Sequence, residues 1–470
     1  MKTPRHAVVA GAGLAGTLAA TVLAEDGYSV TLIERDRLPT GPAARKGTPQ
    51  ARHAHLLWSG GARALDYLLP GTTDRLLAAG AHHIGVPSNL VSMSAQGWFQ
   101  RYPDGQQFLI TCSRDLLDWV IRDQALSAGD IVVRDTTHVL ELLGDSTRLT
   151  GVRIRDQQTQ FTEDLHAEFV VDATGRGSHA PEWLSDLGLP AVQEEIVDSG
   201  LAYATRLFRA PATATHSFPV VNVQADPREP RPGQTATLLP IEGDRWLVTL
   251  SGTRGGEPTT DEDRFVEFAR AVRHPIVGDL IASAQPSGPV IGSRSTVNRR
   301  RYYERLPHWP HGLAVLGDAV ATFNPIYGQG MSVAAHGVAA LRGGLRKHHH
   351  APEAAQKIQQ MVARTVEPAW LMATGQDILY PSAIGRRPPA TARLAQRYFE
   401  RMMKTGTSRR TVAYALLDVF SLSAPMRSLL SPRIVLETIL GPKHPPPSEP
   451  PLTAEELSAL CSETEHPNSP

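Results

Sequence analysis

Three short runs of consecutive apolar residues, each closed by a glycine-rich turn, punctuate the chain: Ala7 to Ala10, Phe169 to Val171 and Leu313 to Leu316. Unbroken runs of this length suit strands buried on both faces, as in a parallel sheet. The first enters Gly11-Ala12-Gly13-Leu14-Ala15-Gly16. Leu14 to Ala24 then carries the small and apolar residues of a helix, Gly27 stops it, and Tyr28 to Ile33 predicts a second strand closed by Glu34. Residues 200 to 252 alternate instead. There Thr237 to Ile241 returns through Glu242-Gly243-Asp244-Arg245 to Trp246 to Leu250, which predicts a hairpin within a β-sheet. A hairpin-like pair, Val139 to Leu142 and Gly151 to Ile154, precedes the second apolar run. Residues 352 to 438 show helical spacing and predict a helical region packed on both preceding parts. Beyond Gly441, the proline-rich stretch 445 to 451 predicts an extended linker, then a short helix from Thr453 to Leu460 and a polar tail.

Composition narrows the function classes. With 41% hydrophobic and 20% charged residues the chain is globular, and 47 Lys+Arg against 47 Asp+Glu give no general attraction to polyanions, so nucleic acid is not an expected partner. Cys112 and Cys461 stand far apart without metal-ligand spacing, which argues against a disulfide framework or a zinc site and fits a reducing cytoplasm. Met1 to His6 lacks an apolar signal core, and no later stretch is long and uncharged enough to span a bilayer; a soluble enzyme with no membrane partner is expected. His348-His349-His350 lies in a basic loop, where three adjacent imidazoles cannot all face one ion, so no metal is expected.

The chemistry sits in the turns. Gly11 allows the tight turn, Gly13 lets the backbone approach a pyrophosphate, Gly16 lets helix and strand pack closely, and Glu34 accepts from ribose hydroxyls. The order strand, glycines, helix, strand and acid marks a dinucleotide fold, but leaves FAD and NAD undivided. Asp172-Ala173-Thr174-Gly175-Arg176-Gly177-Ser178 is a second strand-to-turn corner. In the third, Gly317-Asp318-Ala319 is followed by Asn324-Pro325-Ile326-Tyr327-Gly328-Gln329-Gly330-Met331 and a small-residue helix from Ser332 to Leu341. A carboxylate there suits ribityl hydroxyls, and a glycine turn opening a helix aims free N–H groups at the pyrimidine side of a flavin.

Taken together, these motifs resemble those of p-hydroxybenzoate-hydroxylase-type flavoprotein monooxygenases over roughly residues 5 to 345. Arg114, opening an apolar-faced helix, matches the family's FAD-contacting arginine. Further stretches, Arg45 to Trp58, Leu69 to Leu77, Ala202 to Phe208 and Gly292 to Ser295, are similar to the flavin-dependent epoxidases of polyether-ionophore biosynthesis. The resemblance implies an α/β fold. A Rossmann-like FAD-binding domain of the glutathione-reductase type (residues 1–82, 112–193 and 290–345) is interleaved with a β-sheet substrate domain (83–111 and 194–289). A helical C-terminal region (346–440) and a linker and tail (441–470) follow.

The implied cofactor contacts are Gly11, Gly13, Leu14, Ala15, Gly16, Glu34, Arg35, Arg45, Gln50, Arg52, His53, Arg114, Val139, Ala173, Thr174, Gly175, Gly317, Asp318, Pro325, Gly328, Gly330 and Met331. Arg52, Asn324 and Pro325 are expected beside the flavin ring, with no side chain assigned as catalytic acid or base. His53 and His55 alternate, consistent with interior histidines; the resemblance favours a flavin-proximal place. Trp98, Phe99, Tyr203, Arg206, Phe218 and Trp246 are candidates for the substrate pocket, although buried aromatics commonly serve as core. The implied reaction uses NAD(P)H, directly or through a reductase, and O2. Oxygen adds at flavin C4a and its distal atom passes to an alkene of a linear polyene polyketide, free or bound to a carrier protein. A flavin-dependent polyene reductase, another hydroxylase of the same type and a flavin-binding interaction module are the rival readings.

Overall fold

The computed structural model describes residues 5–458, apart from 104, 128–129, 213, 215–217, 349–352, 388 and 390–391. His349, His350, the end of the helix expected to reach Leu460 and the polar tail therefore lie outside the described residues. The fold is mixed α/β. Its first layer is a parallel five-stranded sheet in the order Leu313–Val315, Phe169–Asp172, Arg5–Ala10, Tyr28–Ile33, Ile131–Arg134. The register sets Ala10 beside both Ile33 and Asp172, and Asp172 beside Val315. All three glycine turns consequently leave from the carboxyl ends of neighbouring strands, where open α/β sheets hold their ligands. The helix Leu14–Glu25 covers these strands through Leu18, Ala19 and Leu23, and itself meets the helix Gly330–His348.

A second sheet of eight strands runs in the order Ala321–Thr322, Ile291–Arg301, Glu194–Arg209, Arg245–Gly252, Gln234–Ile241, Val220–Val223, Leu90–Ser94, Gly97–Trp98. Side chains alternate across it. One face, with Phe208, Trp246, Leu238 and Val221, packs on the helices Phe265–Ala271 and Ile276–Ala282. The opposite face turns Leu207, Leu247 and Leu239 towards a small sheet of Leu57–Trp58, His82–Val86 and Gln107–Thr111, and Tyr203, Thr205 and Thr249 towards the glycine turns.

Some boundaries differ from the sequence-based ones. Ile291–Arg301 belongs to the eight-stranded sheet, since it pairs with Glu194–Arg209 and its Arg301 is ion-paired with Glu194 at 2.7 Å. The expected pair before the second apolar run is a three-stranded meander of Thr137–Gly144, Leu149–Asp156 and Thr162–His166. The proline-rich segment is tied back to Arg101, which holds Glu456 at 2.5 and 2.8 Å and the Pro451 carbonyl at 3.0 Å. The helices Ala354–Asp377, Ala392–Gly406, Arg410–Phe420 and Pro432–Leu440 precede this segment, and Ala454–Leu457 lies at its end. Among the described residues no helix is long and apolar enough to cross a membrane.

Candidate active site

The first turn is built for close backbone approach. Gly11 has φ +95°, and a Cβ there would lie 2.4 Å from the Ala173 carbonyl; at Gly16 it would lie 1.8 Å from the Gly11 carbonyl. Gly13 differs, because a Cβ would meet nothing within 4 Å: it caps the helix beginning at Leu14 and Ala15 and borders open space. Glu34 closes the turn from below. Its Oε2 accepts the Ala12 N–H at 2.9 Å and pairs with Arg45, while Arg45 donates to the Ala12 carbonyl at 2.8 Å. Val139 lies on the strand whose Thr137 N–H reaches the Glu34 carbonyl (2.9 Å), and the Arg35 carbonyl accepts from Gln157.

In the second turn Asp172, fully buried, accepts from Thr174 (N–H 2.9 Å, hydroxyl 2.6 Å) and Ser178 (2.5 Å), and so shapes Ala173 to Ser178. In the third, Gly317 at φ +61° would place a Cβ 3.1 Å from that of Ala15, which seats Asp318 against the first helix. Burial raises the Asp318 carboxyl above its ordinary value, and the charges of Arg114 and Arg176 partly offset this. Arg114 donates to Asp118 at 2.7 Å while its charge also faces Asp318. The structure thus brings Arg114 and Asp318 together from distant segments of the chain.

Pro49–Arg52 forms one 3-10 turn and Pro325–Tyr327 another. His53, 2% exposed, exchanges a hydrogen bond with the Thr205 hydroxyl (2.8 Å) through Nδ1, and its Nε2 has no partner. Burial lowers its pKa to about 4. His55 bonds the His53 carbonyl through Nδ1 at 2.8 Å; burial and then the Arg114 charge lower its pKa to about 4. Gly328 has φ +64°, and a Cβ there would be 3.1 Å from the Leu56 Cβ, so Leu56 and Trp58 abut the Pro325–Tyr327 turn. The Ile326 N–H donates to the Tyr203 hydroxyl at 3.0 Å. Arg52 is exposed, its charge beside Asp115. Gly330 and Met331 open the long helix.

The chain from residue 5 to 358 matches the model of a family described as FAD binding domain. It belongs to the group A FAD-dependent monooxygenases. Members of this family use FAD, NAD(P)H and O2. Protein Rv3254 of Mycobacterium tuberculosis is 30% identical over 427 residues, 89% of each chain. Kynurenine 3-monooxygenase of Xanthomonas campestris pv. campestris is 27% identical over 75% of this chain and 74% of its own. Squalene monooxygenase of Rattus norvegicus is 25% identical over 71% and 53% respectively. The structure of PqsL, a probable FAD-dependent monooxygenase from Pseudomonas aeruginosa, shares the fold with a TM-score of 0.59 at 19% identity, covering 80% of this chain and 97% of its own.

The residues of this monooxygenase fit FAD. Open space faces Gly13, Gly175 and Gly330, where a Cβ would meet nothing within 4 Å. Around the Pro49–Arg52 and Pro325–Tyr327 turns, Gln50 Oε1, His53 Nε2, Trp58 Nε1, Asn324 Oδ1, Gln329 Oε1 and Ser332 Oγ are buried without a protein partner. Buried polar atoms are ordinarily satisfied, so such a cluster suits a polar ligand.

Four of the substrate candidates fall elsewhere. Trp98, Phe218 and Trp246, each 1% exposed, are core between the eight-stranded sheet and its two helices, on the face away from the glycine turns. Phe218 and Trp246 pack ring to ring at 4.8 Å, and Trp98 meets His274 edge-on at 5.2 Å. Arg206 lies on that same outer face, paired with Glu262 and bonded to the Gly288 carbonyl at 3.2 Å. Strand periodicity separates the two faces but does not say which one meets the cofactor. Tyr203 does face the turns, and Phe99 approaches Gly406 of a C-terminal helix. Sequence reasoning passed over Asp377, Asn298 and Ser199, which gather behind Asn324.

Proposed function

We infer that this monooxygenase epoxidises alkenes of a linear polyene polyketide. The observation that carries the reading is the burial of His53 and Tyr203, 2% and 3% exposed, beside the Asn324 to Gly328 turn. Burial holds His53 near pKa 4 and pushes the Tyr203 and Tyr327 phenols well above their ordinary value. An imidazole so weakly basic takes a phenolic proton poorly, whereas an alkene is already a nucleophile and needs no base. Bound FAD supplies the redox chemistry, by which NAD(P)H, a proton, O2 and the alkene give NAD(P)+, water and the epoxide. Leu56, Trp58, Met331 and Met372 border the turn with apolar surface that excludes water and receives an unsaturated chain. Squalene, for which one relative is named, is itself a linear polyene.

Aromatic hydroxylation is the second reading, favoured by the similarity to kynurenine 3-monooxygenases. To decide, the FAD-loaded protein is incubated with NADPH, isotopically labelled O2 and either a linear polyene polyketide or a phenolic substrate. Incorporation of one labelled atom into the polyene as an epoxide supports the proposal. Labelled phenol with an untouched polyene supports the second reading, and a saturated, unlabelled polyene overturns both in favour of a reductase.

A further inference from the structure

Asp377 ends the long helix Ala354–Asp377 and lies beyond the residues that match the FAD-binding family. It is 2% exposed. Its Oδ2 accepts from Asn298 at 2.6 Å, from Ser199 at 3.3 Å and from the Asn324 carboxamide; its Oδ1 accepts from the Tyr327 hydroxyl at 2.5 Å. These partners come from two strands of the eight-stranded sheet and from the turn that precedes the helix Gly330–His348. Asn298 doubles the tie, since its Oδ1 accepts the Asn324 backbone N–H at 2.8 Å.

With four donors directed at its two oxygens, the Asp377 carboxyl acts as acceptor and dictates which end of a neighbouring amide faces it. Asn324 therefore turns Nδ2 to Asp377, and the same nitrogen reaches Ser199 Oγ at 3.4 Å. Its Oδ1 points elsewhere and, though Asn324 is 1% exposed, has no partner in the protein. Leaving a buried acceptor unmet is costly, and an arriving donor recovers that cost. The residues that follow, Pro325 to Gly328, are only half-buried, so the turn that carries Asn324 borders a surface open to a ligand.

We propose that Asp377 is a positioning residue: it locks the Asn324 carboxamide so that Oδ1 is presented as a hydrogen-bond acceptor to an N–H group of the bound flavin. The inference rests on FAD binding at this turn and not on the identity of the substrate, so it stands or falls separately from polyene epoxidation. An Asp377→Asn substitution puts an NH2 donor where the carboxylate stood. Asn324 Oδ1 can then turn to that donor, withdrawing the acceptor from the flavin.

The test is a double-mutant cycle on the FAD-loaded protein without substrate, read as the two-electron midpoint potential of the flavin. Asp377→Asn is expected to shift the potential by about 30 mV or more, a tenfold change in the relative affinity for reduced and oxidised flavin. In an Asn324→Leu background the same substitution is expected to shift it little. Equal shifts in both backgrounds, or none in either, overturn the proposal. Should Asp377→Asn fail to fold, a crystal structure of the wild-type holoprotein decides. Asn324 Oδ1 within about 3.2 Å of a flavin N–H supports the proposal; Oδ1 satisfied by a protein group, or by substrate alone, overturns it.

Discussion

Arg45 and Glu34 form a buried ion pair beneath the first glycine turn, with side chains only 5% and 7% exposed, and Arg45 also binds the Ala12 carbonyl. One guanidinium thereby ties the acid closing the second strand to the first glycine turn. Glu34→Ala strands that guanidinium in the interior. Breaking a buried pair by removing one partner costs about 3–5 kcal/mol. Urea unfolding is expected to show a loss of that size together with release of FAD on gel filtration. A Glu34→Ala protein as stable and as yellow as wild type would show the pair to be dispensable.

Asp318 is the second cofactor test. Its carboxyl sits at the end of the Leu313–Val315 strand with the Arg114 charge beside it. A hydrogen bond to a charged group contributes about 1.5–3 kcal/mol, so Asp318→Ala is expected to raise the FAD dissociation constant roughly 10- to 100-fold. Titration of the apoprotein with FAD, followed by flavin fluorescence, measures it. Full flavin occupancy at stoichiometric FAD would remove Asp318 from the site.

Trp246 and Phe218 separate core from pocket. Both fill the interface between the eight-stranded sheet and its covering helices. Trp246→Ala is expected to destabilise the protein by about 3–5 kcal/mol, the usual range for deleting a buried aromatic. Arg206→Ala, at an ion pair whose glutamate is 48% exposed, is expected to change stability by less than about 1 kcal/mol and turnover not at all. Comparison of urea midpoints with steady-state rates checks both. A large rate loss in Arg206→Ala at unchanged stability would return Arg206 to the substrate site.

These contrasts explain what the chain discloses before it folds. Ala7 to Ala10, Phe169 to Asp172 and Leu313 to Val315 were legible because continuous apolar runs ending in glycine turns have few other uses, and all three are parallel strands with their turns at one end. Trp246 and Leu247 are a different case. Both are buried in the same strand, on opposite faces, and nothing in a period-two pattern says that the leucine's face is the one turned towards the cofactor side. Asp377 was illegible for a related reason. A single carboxylate at the end of a helical stretch reads as solvated, and only tertiary packing reveals the donors around it. Likewise Arg114 and Asp318 meet only through the fold.

His53 gives the final prediction, and its sign follows from burial. Its folded pKa of about 4 lies below the ordinary value of 6.5, so between these limits the unfolded chain binds the proton and the folded one does not. Stability contributed by the neutral imidazole is complete above pH 6.5 and is lost as pH falls towards 4. From pH 6.5 down to about pH 5 the loss is about 2 kcal/mol, at about 1.4 kcal/mol per unit. His53→Asn keeps a polar group for Thr205 but cannot titrate. Its urea midpoint is expected to fall less than that of wild type between about pH 7 and pH 5, with His55 still contributing to the remaining fall in both proteins. Identical falls would mean that the folded protein protonates His53 readily. The site would then hold a base suited to a phenol, and the argument for an alkene substrate would lose its footing.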